Sequence, residues 1–161
     1  MKDLENLDYA DVLDLTPAEL KHKAITRGWA LSLVGFIVYA VLRVCGQKPK
    51  DFYGVCPYFT IGRNWGGLEL GWFFICGKNA GYGTQTHELG HLIQNAKFGG
   101  LRMLGLSVAS AARYWKRRLF GSDTSYNAWW FEGQASQLGS DYIDNLKRKE
   151  VLKQEMEKEN G

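Results

Sequence analysis

The sequence predicts an α+β domain, mainly helical, with a small antiparallel β-hairpin or sheet packed on one of its helices, and three observations lead there. Most of the chain falls into long stretches of helical periodicity or unbroken apolar character, at residues 17–46, 84–98, 101–115 and 128–149. Only residues 58–61 and 68–76 have the aromatic and bulky texture of strands, and Asn64-Trp65-Gly66-Gly67 supplies turn residues between them. With 161 residues, 45% of them hydrophobic and 23% charged, the chain is long enough and apolar enough to bury a core, and its composition argues against disorder.

Taken in order, the first helix starts at Thr16-Pro17-Ala18-Glu19, which places a hydroxyl at the N-cap, Pro at the first helical position and Glu at the third. It is expected to break at Gly28 and continue into residues 29–42, fourteen residues without a charge, flanked by Lys21, Lys23 and Arg27 on one side and Arg43, Lys48 and Lys50 on the other. A bilayer-spanning helix needs about 20 apolar residues. A buried or interfacial helix is therefore expected, with a true span as the alternative. Residues 47–51, with Pro49, read as a polar connection to the hairpin.

The hairpin's second strand leads through glycine-rich residues 77–83 into the helix 84–98, which ends at Gly99-Gly100 in C-cap position. Residues 101–115 form a second apolar helix, buried or membrane-touching, which runs into Lys116-Arg117-Arg118. A polar loop at 121–127 precedes a helix from residue 128 to about 149, whose tail alternates in charge as a solvated face does.

Several function classes fall away. The net charge is +3, and no basic stripe is interleaved with aromatics in the way a strand-tracking groove requires, so no nucleic-acid partner is expected. Cys45, Cys56 and Cys76 are odd in number, widely spaced and without a C-x-x-C pair, which argues for reduced thiols rather than a disulfide framework or a structural zinc knuckle. The acidic first fifteen residues lack a basic region leading into an apolar one, so no cleaved secretory signal is expected and the location reads as cytoplasmic or membrane-associated.

The chemistry sits in His87-Glu88-Leu89-Gly90-His91. Residues four apart share a helix face, so His87 and His91 can aim two imidazole nitrogens at one Zn2+ about 2 Å from each. Glu88, the next residue around the helix, is placed to reach a water on the metal as a general base. The competing reading is a chance match in an ordinary core helix. Gln94 shares the ligand face, where it either donates to a neighbouring carboxylate or packs as a polar residue. The longer H-E-x-x-H-x-x-G-x-x-H pattern fails, because Gln94 and Lys97 stand where Gly and His belong.

A third ligand must come from elsewhere, and Glu132 in Trp129-Trp130-Phe131-Glu132-Gly133-Gln134-Ala135-Ser136 is the best candidate. Its aromatic neighbours would make a dry wall, and Gly133, Ala135, Ser136 and Gly139 would let its helix pack closely on the motif helix. A solvated Glu on an amphipathic helix is the alternative.

At these residues the chain resembles the gluzincins, thermolysin-like zinc metallopeptidases in which a glutamate on a later helix completes a His, His, Glu site. In that family the glutamate often belongs to E-x-x-x-D, whose aspartate orients the first histidine; Ser136 occupies that position here. More narrowly, H-E-x-G-H-x-x-Q-N, F-G-G-L, A-R-Y-W and W-F-E-G-Q-A, spread over residues 58–142, are similar to a group of small bacterial proteins described as metallopeptidases. The resemblance implies that His87, Glu88, His91 and Glu132 act as one zinc constellation on a peptide or protein substrate. The chain is expected to divide into an N-terminal helical region, 1–50, which holds the apolar helix, and a zincin-like metallopeptidase domain, 51–161, which ends in the charged helix.

Such a site needs a donor for the oxyanion that forms when water attacks a carbonyl. Tyr126 and Arg113 are the candidates. Alternatively Arg113 pairs with Asp123 or joins Lys116, and Tyr126 packs against Trp129 or Trp130. The strand at 68–75 is placed to form a cleft edge for an extended peptide. Two other functions remain open: a non-catalytic, zinc-stabilised and membrane-associated interaction module, and a hydrolase acting on another bond.

Overall fold

In the computed structural model, which describes residues 8–121 and 129–159, the helices start and stop where local chemistry dictates. A one-turn helix α1 (Ala10–Leu13) precedes α2 (Pro17–Arg27) and α3 (Trp29–Val44). The capping box forms at α2: Thr16 Oγ1 accepts from the Glu19 amide, and the Glu19 carboxylate accepts from the Thr16 amide at 2.8 Å. At Gly28 the chain turns through 104° into α3. The corner is filled by Asn95, whose Oδ1 lies 2.2 Å from where a side chain on Gly28 would begin. The Asn95 Nδ2 donates to the Ala24 and Gly71 carbonyls at 3.3 and 3.1 Å.

A four-stranded sheet follows, built from β1 (Lys50–Phe52), β2 (Cys56–Thr60), β3 (Gly67–Glu69) and β4 (Phe74–Cys76) in the order β1-β2-β4-β3. Its pairings correct the expected hairpin. Residues 58–61 and 68–76 do not pair antiparallel; β2 runs parallel to β4, with Tyr58 opposite Phe74. The second expected strand folds back on itself, because Gly71 takes φ +85° in a turn closed by the Leu70 amide on the Phe73 carbonyl at 2.8 Å. This hairpin pairs Glu69 with Phe74. The connection at 47–51 contributes a strand as well, since Lys50 and Asp51 stay exposed while Phe52 drops into the core.

Helix α4 (Tyr82–Phe98) carries the motif and ends on Gly99 at φ +68°, as a C-cap glycine should. Then come α5 (Gly100–Phe120) and α6 (Trp130–Glu159), the latter running ten residues past its expected end. Tyr126, Asp123 and residues 122–127 of the expected loop lie outside the described residues. Leu89, Leu92, Ile93 and Ala96 of α4 form a buried core with Leu20 and Ala24 of α2, Phe52 and Phe74 of the sheet, and Phe131, Leu138 and Tyr142 of α6. A second cluster, Phe59, Leu70, Trp72 and Phe73, takes Val38, Tyr39 and Leu42 of α3. Residues before and after position 50 thus share one core. Cys56 and Cys76 are buried thiols and Cys45 is exposed; none forms a disulfide. Among the described residues no single helix is long and apolar enough to cross a membrane.

Candidate metal centre

The site is made where α4 and α6 cross with almost no side chain between them. A Cβ on Gly90 would lie 1.7 Å from the Ala135 carbonyl oxygen, and one on Gly139 would lie 1.8 Å from that of Thr86. Residues 132, 135, 136 and 139 form one stripe of α6, and 86, 87, 90, 91 and 94 the facing stripe of α4. Ala135 and Gly139 therefore do the job expected of them. Close approach carries Glu132, in the first turn of α6 where helix amide groups favour negative charge, to the histidine pair.

Three ligand atoms converge. His87 Nε2 and His91 Nε2 lie 3.1 Å apart, and Glu132 Oε2 is 3.1 Å from the first and 3.2 Å from the second. In a tetrahedral zinc site neighbouring ligand atoms stand about 3.3 Å apart, so the triangle has the right size for bonds of 2.0–2.2 Å. Glu132 is fully buried, and the histidine side chains are mostly so.

The hydrogen-bond network assigns the histidine tautomers. The Gln94 Nε2 donates to the Phe131 carbonyl at 2.9 Å and to Gln134 Oε1 at 3.1 Å, so its Oε1 faces His91 Nδ1 at 2.8 Å and accepts from it. Ser136 Oγ is 2.9 Å from His87 Nδ1, and its hydroxyl points at the Glu132 carbonyl at 3.5 Å, so it too accepts from the ring. With both Nδ1 atoms protonated, both Nε2 lone pairs point into the triangle alongside a carboxylate oxygen. Three ligand atoms this close could hold a metal ion between them, and two imidazoles with one carboxylate are ligand types that Zn2+ accepts.

The supporting groups differ from those expected in two ways. Gln94 neither meets a carboxylate nor merely packs; it orients His91 and is tied through Gln134 to Tyr9, whose hydroxyl donates to Gln134 Oε1 at 2.7 Å. Ser136 does the orienting that an aspartate would do at its position. Ser110 of α5 was not foreseen: its hydroxyl hydrogen-bonds Glu132 Oε1, the carboxylate oxygen that faces away from the histidines. In the sequence it is one small residue in Ser107-Val108-Ala109-Ser110-Ala111-Ala112, where nothing distinguishes it from helix packing.

Electrostatics separate the two glutamates. Burial would raise the Glu132 carboxyl, but His87 and His91, when a proton sits on the ring nitrogen that faces it, and the Ser110 hydroxyl outweigh burial and hold the group well below the usual carboxylate range. Burial pushes the Glu88 carboxyl up to about 8, opposed by the neighbouring His87 and assisted by the charge of Glu132. Glu88 leans on the edge strand: a Cβ on Gly67 would lie 2.5 Å from its Cγ and Oε1, and its carboxylate accepts the Glu69 amide of β3. Glu69 is itself buried, its Oε1 accepting the Gly71 amide at 2.5 Å while Oε2 has no partner.

Phe131 supplies the dry wall, its ring 4.9 Å from His91. Arg113 is exposed on α5 with its guanidinium over the Trp129 ring at 5.4 Å, outside the ligand triangle. Tyr126 lies outside the described residues. In comparisons with known proteins, no family model, no curated protein and no solved structure matches the chain.

Proposed function

We propose that the chain is a zinc-dependent hydrolase of the gluzincin type, a metallopeptidase whose zinc ligands are His87, His91 and Glu132. One observation carries the reading: three tautomer-fixed or ionised lone pairs converge to within 3.2 Å, with a buried carboxyl, Glu88, next to them on the same helix. Zinc bound there would act as a Lewis acid, polarising a carbonyl and lowering the pKa of water.

The chain's own residues supply the rest. The Glu88 carboxylate, next to His87 on the same helix, is placed to take a proton from the attacking water and return it to a leaving amine. Outside Glu88 stands β3, the last strand of the sheet in the order β1-β2-β4-β3, with its outer edge unpaired among the described residues. An extended peptide adds to such an edge through main-chain hydrogen bonds, which brings its carbonyls past Glu88. The Phe131 ring and the Glu132 burial keep bulk water from the inner side of the triangle. Arg113 is one helical turn beyond Ser110, and with Tyr126 it is the proposed source of an oxyanion donor.

A structural zinc site is usually closed by four protein ligands, often sulfur. Here, among the described residues, no fourth His, Cys, Asp or Glu joins the three. That favours an open, catalytic position over a purely structural one. The test is elemental analysis of the purified protein with a fluorogenic peptide-library screen. One zinc per chain with peptide cleavage is expected, and Glu88→Gln should keep the zinc and lose cleavage. Zinc binding without hydrolysis of any peptide would leave the non-catalytic module as the reading, and a folded protein that takes up no zinc would end both.

A further inference from the structure

Helix α3 is inverted for a helix on a protein surface. It buries one narrow side, Ala30, Leu31, Ser32 and Gly35, against the sheet layer. The opposite arc of Trp29, Leu33, Phe36, Ile37, Ala40 and Val44, with Val34 and Val41 beside it, is exposed and contains no polar residue. Ile37 is 62% and Val44 88% exposed. Helix α5, which packs against α3, repeats the pattern. Leu101, Gly105, Val108, Ala112, Trp115 and Leu119 follow one another at alternating spacings of four and three, which lays them in a single exposed stripe. Exposed apolar stripes on two touching helices are a surface that water does not favour.

Charge says what covers it. Residues 20–50 and 89–122, which contain α3, α5 and their flanks, hold twelve of the twenty Lys and Arg and none of the seventeen Asp and Glu. The rest of the chain, with eight basic and seventeen acidic residues, is strongly negative. Arg27 and Arg43 bracket the α3 arc, and Arg102, Arg113 and Lys116 are exposed along α5. A second copy docked face to face would bring cations against cations with no acid on the surface to meet them. An anionic bilayer offers both an apolar phase for the arcs and phosphates for their rims, with Lys and Arg stems snorkelling and Trp at the boundary.

We propose that α3 and α5 together form a monotopic docking surface for anionic phospholipid bilayers, lying in the interface rather than crossing it. Helix α5 faces both ways, since its buried Ser110 holds the Glu132 carboxylate while its outer stripe meets lipid. The metal centre then stands about one helix diameter, some 10 Å, above the headgroups. The surface is independent of whether the metal centre hydrolyses peptides.

The experiment is flotation of the full chain with preformed vesicles, either pure phosphatidylcholine or phosphatidylcholine with one-third phosphatidylglycerol. Flotation with the anionic vesicles, reversed in large part by high salt, is expected. Arg43→Glu with Arg102→Glu should weaken binding at least about tenfold. Ile37→Asp with Trp115→Asp should abolish it while leaving the circular dichroism and zinc content unchanged, since both side chains are exposed. Protein that stays at the bottom of the gradient with anionic vesicles overturns the proposal. So does equal flotation with neutral vesicles, undiminished binding by the two double variants, or a dimer in solution that Ile37→Asp dissociates.

Discussion

Gln94, Ser136 and Ser110 each spend one hydrogen bond on the metal centre, and each can be removed without touching a ligand. Gln94→Leu takes the acceptor from His91 Nδ1, frees the ring to change tautomer, and should weaken zinc affinity roughly 10- to 100-fold in a chelator competition titration. Ser110→Ala leaves Glu132 Oε1 buried without its partner and should weaken zinc in the same assay, whereas a comparable Ser→Ala change at half-buried Ser107 should not. Glu69 makes a pH prediction. Burial, only partly offset by the Gly71 amide, raises its folded-state carboxyl well above its ordinary value, so the folded protein prefers it protonated. For an acid whose pKa is raised on folding, stability is fully present below the unfolded value and declines as pH rises through the interval between the two. Glu69→Gln should therefore lose less stability than the parent from about pH 5 upward, with the two converging in acid, measured as urea midpoints across pH.

At the scale of elements, the α4–α6 crossing decides whether the ligands meet at all. Gly90→Ala places a methyl group 1.7 Å from the Ala135 carbonyl oxygen, and backbone cannot yield as a flexible side chain can. The helices must separate. We expect a loss of about 1–3 kcal/mol in stability together with weakened zinc binding, because Glu132 rides on the helix that moves. Urea melts with and without zinc would show both effects. A variant that binds zinc as the parent does would mean that the crossing is not what positions Glu132. The strand readings went astray at this same scale. Residues 68–76 look like one strand because Leu68, Trp72, Phe73, Phe74 and Ile75 are all strand formers. The single Gly71, packed on Ser32 of α3 and turned to φ +85°, outweighs them.

For the whole molecule, zinc would join α4 to α6 across the core. Bound metal stabilises the folded state in proportion to RT ln(1 + [Zn]/Kd), so chelation should lower the melting temperature, and His91→Ala should abolish the zinc-dependent increment while leaving a folded protein. Scanning calorimetry with and without chelator checks this. The common core of α2, the sheet, α4 and α6 makes the loss cooperative, because Leu20 and Ala24 pack in the same cluster as Phe131 and Tyr142.

The sequence by itself determined the helices and their ends at Thr16, Gly28 and Gly99, the motif pair His87 and His91 with Glu88 between them, and the glutamate at 132. These follow from capping, periodicity and spacing, which are properties of neighbours in the chain. The tertiary structure alone decided the parallel pairing of β2 with β4, the roles of Ser110 and Gln94, and the partnerless oxygen on Glu69. It also decided which side of α3 is left bare. Each of these depends on where a second element comes to rest, sixteen or more residues away in the chain. Whether a serine or an apolar face matters depends on what is packed against it.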